Sequence, residues 1–185
     1  MSGALRIIGG EWKGRRFRVG HGPGLRPTAD RNRETLFNWL QADMPGARVL
    51  DLFAGTGALG LEALSRGAAE AVFVERAKPL ARALNDRLKL LEATDRAWVV
   101  ADDARRYLQR QGGGFDVVFL DPPFDSDLLA PTLQALAAPG WLHAHSAIYL
   151  ESGDSQIAQD LPNGWALERE KRAGAVWFAL VRAAQ

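Results

Sequence analysis

The chain has 185 residues, enough for one domain, and 47% of them are hydrophobic, so it can bury a proper core. It has no cysteine, which excludes disulfides, thiolate metal sites and thiol nucleophiles, and its three histidines are too sparse for a metal site. We find neither a secretory signal nor a membrane-spanning run, so we expect a cytoplasmic protein that binds no metal and no membrane.

The net charge of +1 hides an asymmetry along the chain. Residues 1–34 contain eight Arg or Lys and three Asp or Glu, whereas the remaining 151 residues contain fifteen and nineteen. A basic segment on a mildly acidic body predicts a polyanionic partner. The alternative is a solvated arm that only aids solubility.

The first 45 residues are predicted to form a small extension. Residues 5–8 and 16–19 alternate polar and apolar side chains around three glycines, which predicts a hairpin. Thr28 or Asp30 can cap a helix that runs to about Gln41.

From Arg48 onward, short apolar runs alternate with helical stretches, which predicts a parallel sheet covered by helices on both faces. Two further strands and a turn near Gly174 predict a terminal antiparallel hairpin, so we expect a mixed α/β sheet of seven strands. The predicted strands are 48–52, 71–74, 97–100, 117–120, 147–150, 165–172 and 175–182, and the predicted helices are 58–66, 79–93, 103–111 and 126–138.

A glycine-rich loop follows the first strand of this sheet. Gly55, Gly57 and Gly60 match the nucleotide-binding pattern G-x-G-x-x-G, and Glu75 follows Gly55 by twenty residues, where an acidic side chain would bind ribose hydroxyls. This pattern alone does not separate NAD from S-adenosylmethionine.

Asp51 favours S-adenosylmethionine. It stands at the carboxyl end of the strand, where its charge would repel a pyrophosphate and attract the ammonium of a methionine moiety. The alternative is that Asp51 only caps the next turn. Asp103, or else Asp102, follows the third strand and could accept a hydrogen bond from an adenine amino group.

The fourth strand leads into Asp121-Pro122-Pro123-Phe124. Two prolines stiffen this turn, which presents a carboxylate, an unobstructed row of carbonyl oxygens and an aromatic ring to the cofactor crevice. Such a set suits the exocyclic amino group of a nucleobase, held by Asp121 and the Pro122 carbonyl while Phe124 stacks on the base. Guanine is favoured weakly, because its N1–H and N2–H lie side by side and one carboxylate can accept both.

With these residues assembled, the chain closely resembles the bacterial 16S ribosomal RNA (guanine(966)-N2)-methyltransferases over nearly its whole length. The resemblance rests on RIIGGEWKGR at 6–15, GLRPTADRNRETLFNWL at 24–40, DLFAGTGALGLEALSRG at 51–67 and DPPF at 121–124. It implies a Rossmann-like, class I S-adenosylmethionine-dependent methyltransferase fold with a small N-terminal extension. It also implies that the partner is 16S rRNA in the assembling small ribosomal subunit. A monomer is expected.

The resemblance also implies roles for individual residues, with Asp121 to Phe124 as the catalytic loop. The pair Asp102-Asp103 is more acidic than expected of relatives, which leaves open which of the two contacts adenine. The predicted cofactor-binding residues are Thr28, Asp51, Phe53, Ala54, Gly55, Gly57, Glu75, Arg76, Asp102, Asp103, Ala104 and Asp121.

The basic extension is predicted to bind RNA phosphates, with Trp12 as a stacking partner for a base. Residues 1–45 would form this extension and residues 46–185 the catalytic core of one methyltransferase domain. The predicted RNA-binding residues are Arg6, Trp12, Lys13, Arg15, Arg16, Arg18, Arg26 and Arg31; Arg26 and Thr28 are positioned for either RNA or the methionine end of the cofactor.

Three alternatives stay open. An adenine-N6 methylase acting on RNA or DNA would share Asp121 to Phe124. An NAD-dependent oxidoreductase would explain the glycine loop and Glu75, but neither Asp51 nor the basic arm. A non-catalytic RNA-binding assembly factor would retain the fold without needing Asp121.

Overall fold

A computed structural model of the chain describes residues 4–19, 30–123 and 126–183. Within these ranges the strands are β1 Ala4–Arg6, β2 Arg16–Arg18, β3 Arg48–Asp51, β4 Glu70–Val74, β5 Ala97–Val100, β6 Phe115–Leu120, β7 Leu142–Ser152, β8 Ala166–Ala173 and β9 Val176–Arg182. The helices are α1 Asp30–Trp39, α2 Ala58–Ser65, α3 Lys78–Leu90, α4 Ala104–Tyr107 and α5 Leu129–Leu136, with a 3₁₀ helix at Ser155–Asp160. None of the helices described is long and apolar enough to cross a membrane.

Strands β3 to β9 form one seven-stranded sheet in the order β5-β4-β3-β6-β7-β9-β8. The first five in this order are parallel, whereas β9 pairs antiparallel with both β7 and β8. The predicted mixed sheet and terminal hairpin are therefore confirmed. The strand order changes direction between β3 and β6, and a switch point of this kind opens a crevice at the carboxyl ends of the strands.

Both faces of the sheet are buried along its central strands, since no residue of β3, β4 or β6 is exposed, whereas the edge strand β8 is exposed along most of its length. One face packs against α1, α2 and α3 through residues such as Phe37, Leu61 and Leu84. The other face packs against α4 and α5 through residues such as Leu108 and Leu133. These two layers hold the strand ends, and hence the crevice, in a fixed geometry.

The N-terminal residues form the predicted hairpin, in which β1 pairs antiparallel with β2. Leu5 and Trp12 of this segment are buried in the same core as α1 and α2. This segment is therefore docked on the helices that cover the sheet and does not project from them as a separate arm.

Two elements differ most from their predicted bounds. α4 ends at Tyr107 and not near residue 111; turn residues follow it and lead into the glycine run 112–114, which disfavours any continuation of the helix. β7 begins at Leu142, five residues earlier than predicted, since His143 and His145 interrupt the apolar pattern there. The 3₁₀ helix at Ser155–Asp160 was not predicted; the Asp154 side chain caps it by accepting a hydrogen bond from the Gln156 N–H.

Candidate active site

The switch point brings two of the predicted functional carboxylates to neighbouring strands. Asp51 is the last residue of β3, and Asp121 follows Leu120, the last residue of β6. Asp51 pairs in register with Phe119 of β6 and with Phe73 of β4. Asp121 and Glu75 therefore lie just beyond Asp51, one on each flanking strand.

The glycine loop needs its glycines for different physical reasons. Gly57 precedes α2 with φ of 80°, a conformation that side chains with a Cβ rarely adopt. Gly60 lies in the first turn of α2, and a Cβ there would come within 2.2 Å of the Phe73 ring. The third glycine of the pattern thus lets α2 pack directly on β4.

Glu75 holds the glycine loop from the next strand. Its two carboxylate oxygens accept hydrogen bonds from the Gly55 N–H at 2.8 Å and from the Ala77 N–H at 2.6 Å. Each carboxylate oxygen has a second lone pair, so both remain able to accept from a ribose hydroxyl. Glu75 thus fixes the loop and still presents acceptors to the crevice.

Asp51 is almost completely buried, with 2% of its surface exposed. Its carboxylate accepts a hydrogen bond from the Gly60 N–H at 3.0 Å, so it does cap the turn at the start of α2. Burial is the main cause that raises the pKa of Asp51 to about 7, and the charge of Glu75 raises it further. The hydrogen bond from Gly60 acts in the opposite direction and lowers this pKa. A cationic group bound in the crevice would relieve this cost of ionisation.

Asp102 and Asp103 make different contacts. Asp103 caps α4 by accepting a hydrogen bond from the Arg105 N–H at 3.0 Å. Asp102 accepts from the Asp103 N–H at 2.9 Å and forms ion pairs with Arg106 and Arg110. These contacts, the Asp103 N–H above all, hold the pKa of Asp102 below its ordinary value. Asp102 is paired with two arginines and Asp103 with one, Arg105 at 3.5 Å, so Asp103 stays the better prediction for an adenine contact.

The Asp121 turn has the expected place at the end of β6, with Asp121 half-buried and Pro122 buried. The Pro123 carbonyl accepts hydrogen bonds from both the backbone N–H and the hydroxyl of Ser126. This carbonyl is therefore engaged within the loop, so the expectation that all of the loop's carbonyls are unobstructed is wrong. Phe124, Thr28 and Arg26 lie outside the described residues, and their predicted roles stay predictions.

The remaining predicted cofactor residues also surround the crevice. Ala54 is buried and donates its N–H to the Val74 carbonyl at 2.9 Å, while Phe53 is half-buried next to it. Arg76 is exposed just beyond β4, and Ala104 is buried at the start of α4. All of them lie at the carboxyl ends of β3, β4 and β5.

Two side chains of α2, which the sequence did not single out, dock the N-terminal hairpin. Glu62 is fully buried and accepts hydrogen bonds from the N–H groups of Ile8 and Gly9, both at 2.8 Å. Ser65 donates to the Gly9 carbonyl at 2.6 Å and accepts from the Trp12 N–H at 2.9 Å. The only signal for these contacts was a pair of polar residues inside an otherwise apolar helix.

Two buried arginines also hold the N-terminal hairpin against the helices. Arg87 of α3 donates to the Thr56 carbonyl in the glycine loop at 2.7 Å and to the Arg18 carbonyl of β2 at 3.1 Å. Arg33 of α1 donates to the Arg6 carbonyl and to Asp30. Burial lowers the pKa of both guanidinium groups. The hairpin is thus tied to the cofactor loop through Arg87, which no sequence pattern indicated.

Most of the predicted RNA-binding side chains are exposed, but Trp12 is not. Its ring is 5% exposed, lies in the core and packs under Arg96, whose guanidinium carbon is 5.2 Å from the ring centroid. The prediction that Trp12 stacks on a base is therefore wrong, because the hairpin turns this side chain inward. The exposed basic residues are Arg6, Lys13, Arg15, Arg16, Arg18 and Arg31.

A glycine loop clamped by an acidic side chain from the next strand, at the switch point of this seven-stranded sheet, defines a Rossmann-like nucleotide-binding fold. The relatives of the chain place it in the S-adenosylmethionine-dependent methyltransferase class. Residues 5–182 match the family described as Conserved hypothetical protein 95. The chain belongs to this family of methyltransferases, together with the ribosomal RNA small subunit methyltransferase D proteins. The alternative of an NAD-dependent oxidoreductase is therefore wrong.

Three relatives illustrate this similarity. The chain is 47% identical over 179 residues to ribosomal RNA small subunit methyltransferase D of Escherichia coli, covering 97% of this chain and 90% of that protein. It is 40% identical over 181 residues to the Haemophilus influenzae protein of the same name, covering 96% and 93%. A solved structure of a putative methyltransferase from Escherichia coli superposes with a TM-score of 0.90 at 46% identity, covering 99% of this chain and 100% of that one.

Proposed function

We propose that the protein transfers a methyl group from S-adenosylmethionine to the exocyclic N2 of a guanine in the 16S rRNA of the small ribosomal subunit. The observation that carries this proposal is the position of Asp121 and two prolines at the switch point, beside Asp51 and the glycine loop. The relatives named ribosomal RNA small subunit methyltransferase D support the class of RNA.

The residues of the crevice fit a cationic nucleoside. When bound, S-adenosylmethionine supplies a methyl group activated by its sulfonium. The buried carboxylate of Asp51 fits the methionine ammonium, because a nearby cation favours its ionised form. Glu75 fits the ribose hydroxyls, and Asp103 fits the adenine amino group. A negatively charged pyrophosphate would meet repulsion from these carboxylates.

Asp121 and the Pro122 carbonyl would hold the target amino group by accepting its hydrogen bonds. The nitrogen lone pair forms the new N–C bond while the S–C bond breaks and its electrons stay on sulfur, so nitrogen becomes positively charged. The Asp121 carboxylate stabilises that charge, and the excess proton then leaves nitrogen for water. Alignment of the amine with the methyl group supplies much of the remaining acceleration.

Guanine is proposed over adenine because its N1–H and N2–H form a pair of adjacent donors for one carboxylate. Adenine places a ring acceptor next to its amino group, where Asp121 would repel it. The RNA would reach this pocket from the Arg18 end of the hairpin, because Arg87 joins the Arg18 carbonyl to the Thr56 carbonyl of the glycine loop. The turn of the hairpin docks on the far end of α2 at Ser65. Residues 1–45 would thus serve as the RNA-binding extension of the catalytic core.

The test uses tritiated S-adenosylmethionine and small ribosomal subunits from cells that lack the endogenous enzyme. After the reaction, the 16S RNA is digested to nucleosides and the labelled one is identified. We expect label in N2-methylguanosine, a loss of at least about 100-fold with Asp121→Ala, and no loss with the control Asp127→Ala, which removes an exposed carboxylate nearby.

The other outcomes separate the alternatives. Label in N6-methyladenosine would replace guanine by adenine as the substrate. No label, with S-adenosylmethionine binding intact by calorimetry and RNA binding retained, would favour a non-catalytic assembly factor. Failure to bind S-adenosylmethionine at all would contradict the roles of Asp51 and the glycine loop.

A further inference from the structure

A buried carboxylate and a buried phenol lie behind the Asp121 turn, and the proposed mechanism does not use either. Tyr149 and Glu151 belong to β7 and are 0% and 5% exposed. The Tyr149 hydroxyl donates a hydrogen bond to the Glu151 carboxylate at 2.8 Å. Burying polar groups is costly unless they are hydrogen-bonded, and this hydrogen bond offsets part of the cost of burying the two side chains.

The strand register places Glu151 beside Asp121. β6 and β7 are parallel neighbours, and Phe119 pairs with Tyr149 and Leu120 with Leu150. Asp121 follows Leu120 as Glu151 follows Leu150, so the two carboxylates occupy equivalent positions on strands about 4.8 Å apart. Burial raises the pKa of Tyr149, and the charges of Glu151 and Asp121 raise it further, as expected of groups that lie close together.

Adjacent strands of the crevice therefore end in a row of acidic residues. In spatial order these are Glu75 after β4, Asp51 on β3, Asp121 after β6 and Glu151 on β7. The first three have proposed roles with the cofactor or the target base. Glu151 is the member without a role, and it stands on the far side of Asp121 from the cofactor loop.

We infer that Glu151, held by Tyr149, is a positioning residue that places a second negative charge behind Asp121 and so favours positive charge on the target nitrogen. This inference rests on the proposed methyl transfer. During that transfer the positive charge moves from the sulfonium toward Asp121 and Glu151. A fixed carboxylate near Asp121 stabilises the positive charge on the target nitrogen more than the positive charge on the sulfonium, and this difference accelerates the transfer.

The aromatic surroundings of Tyr149 support a fixed orientation. Its ring packs edge-on to Phe119 at 6.4 Å and against Phe178 at 6.2 Å between ring centroids. A ring held in this way directs its hydroxyl, and hence Glu151, without loss of side-chain entropy during the reaction.

The variant Glu151→Gln removes the charge and keeps the size and an acceptor for the Tyr149 hydroxyl. Its matched control is Glu170→Gln, which removes an exposed charge from β8 while an amide oxygen still accepts from the Trp177 N–H. We expect Glu151→Gln to lower kcat by about tenfold or more, with the KM for ribosomal subunits and for S-adenosylmethionine within about twofold. Glu151→Asp, which keeps the charge, should recover part of this loss.

A binding measurement tests the same charge without turnover. The analogue of S-adenosylmethionine that carries a protonated amine at the methyl position is compared by calorimetry with S-adenosylhomocysteine, which is neutral there. We expect Glu151→Gln to reduce the preference for the amine analogue by about fivefold or more, and Glu170→Gln to leave it unchanged. We expect the urea concentration at the midpoint of unfolding to stay close to the wild-type value in both Glu151→Gln and Glu170→Gln.

Unchanged kcat and unchanged analogue preference in Glu151→Gln would overturn the inference. Equal losses in Glu151→Gln and Glu151→Asp, with no change in analogue preference, would also overturn it, because that result describes a structural role only. Total methyl transfer to RNA is counted whichever nucleoside is labelled. A failure of the guanine assignment is therefore distinguishable from a failure of the Glu151 inference.

Discussion

At the scale of single residues, the shape of the crevice depends on the absence of a side chain at Gly60. Gly60 has no side chain, and this lets the first turn of α2 lie directly on the Phe73 ring of β4. The same turn delivers the Gly60 N–H to Asp51. One close approach thus sets both the helix position and the hydrogen bonding of the buried carboxylate.

We therefore expect Gly60→Ala to destabilise the protein by about 1–3 kcal/mol, because the added Cβ would overlap the Phe73 ring and force a shift. S-adenosylmethionine should also bind more weakly, since α2 carries the glycine loop. Urea unfolding and calorimetry measure the two effects. The control is Gly153→Ala, where a Cβ would meet no atom within 4 Å; a similar loss in that variant would contradict the explanation.

Asp51 predicts a pH dependence of stability. Its pKa is about 7 in the folded protein, above its ordinary value of 3.8. Between these values the unfolded chain has already released the proton that the folded protein still holds. Rising pH therefore favours unfolding in this window, so the contribution of Asp51 to stability is present below about pH 4 and is lost as the pH approaches about 7.

The variant Asp51→Asn should remove this dependence, because its amide keeps an acceptor for the Gly60 N–H but does not titrate. We expect the free energy of unfolding of the wild type to fall relative to that of Asp51→Asn by up to about 1.4 kcal/mol per pH unit between pH 4.5 and 6.5. Urea unfolding of the cofactor-free proteins measures it. Parallel curves for the two proteins would mean that Asp51 ionises normally.

At the scale of elements, the N-terminal hairpin depends on contacts with α2. Glu62 is the centre of these contacts, since it accepts from two hairpin N–H groups and also from Arg66 at 2.7 Å. β1 and β2 contain three residues each, too few to form a stable sheet alone. The hairpin is thus ordered by helix α2, which also carries the cofactor loop at its other end.

We expect Glu62→Ala to release the hairpin, because two buried N–H groups and one arginine would lose their partner, at a cost of about 2–4 kcal/mol. Hydrogen exchange of residues 4–19 should accelerate at least about tenfold, while β6 in the centre of the sheet stays protected. The exposed Glu34→Ala in α1 is the control. Equal acceleration in β6 would indicate global unfolding and would contradict local release.

At the scale of the whole molecule, charge is distributed unevenly between the extension and the core. Residues 1–34 carry an excess of basic side chains, and those of the hairpin are exposed. The opposite edge of the molecule also carries basic residues on β8, but these alternate with glutamates in the sequence ALEREKRA. The two surfaces therefore differ in net charge, and of these two the hairpin predicts the stronger attraction to RNA.

The triple variant Lys13→Ala, Arg15→Ala and Arg16→Ala should weaken binding to 16S RNA and reduce the slope of log Kd against log salt by about 2–3, since each lost phosphate contact releases about one counterion fewer. S-adenosylmethionine binding should not change. The matched control removes Arg169, Lys171 and Arg172 from β8. If both triple variants changed the slope equally, binding would be non-specific over the whole surface.

The sequence predicted the sheet, and the position of the acidic side chains at its carboxyl edge, because both depend on local signals. Apolar runs of four to six residues, glycines at fixed spacing and prolines after a strand restrict the backbone wherever they occur. The alternation of strands with helices then leaves few topologies. Asp51, Glu75, Asp103 and Asp121 could be placed near one another for this reason alone.

Only the tertiary structure decided the contacts between residues that are far apart in the chain. Trp12 reads as an exposed aromatic residue in a basic segment, yet the docking of the hairpin on α2 buries it. The hairpin contacts of Glu62 and Arg87 could not be predicted, because their partners lie more than thirty residues away in the chain. The position of Glu151 beside Asp121 likewise follows only from the register of two neighbouring strands. The sequence by itself determined which strand ends have acidic side chains at the predicted site. The packing of the elements determined which buried charged residues lie next to that site, because burial and pairing are properties of the assembled fold.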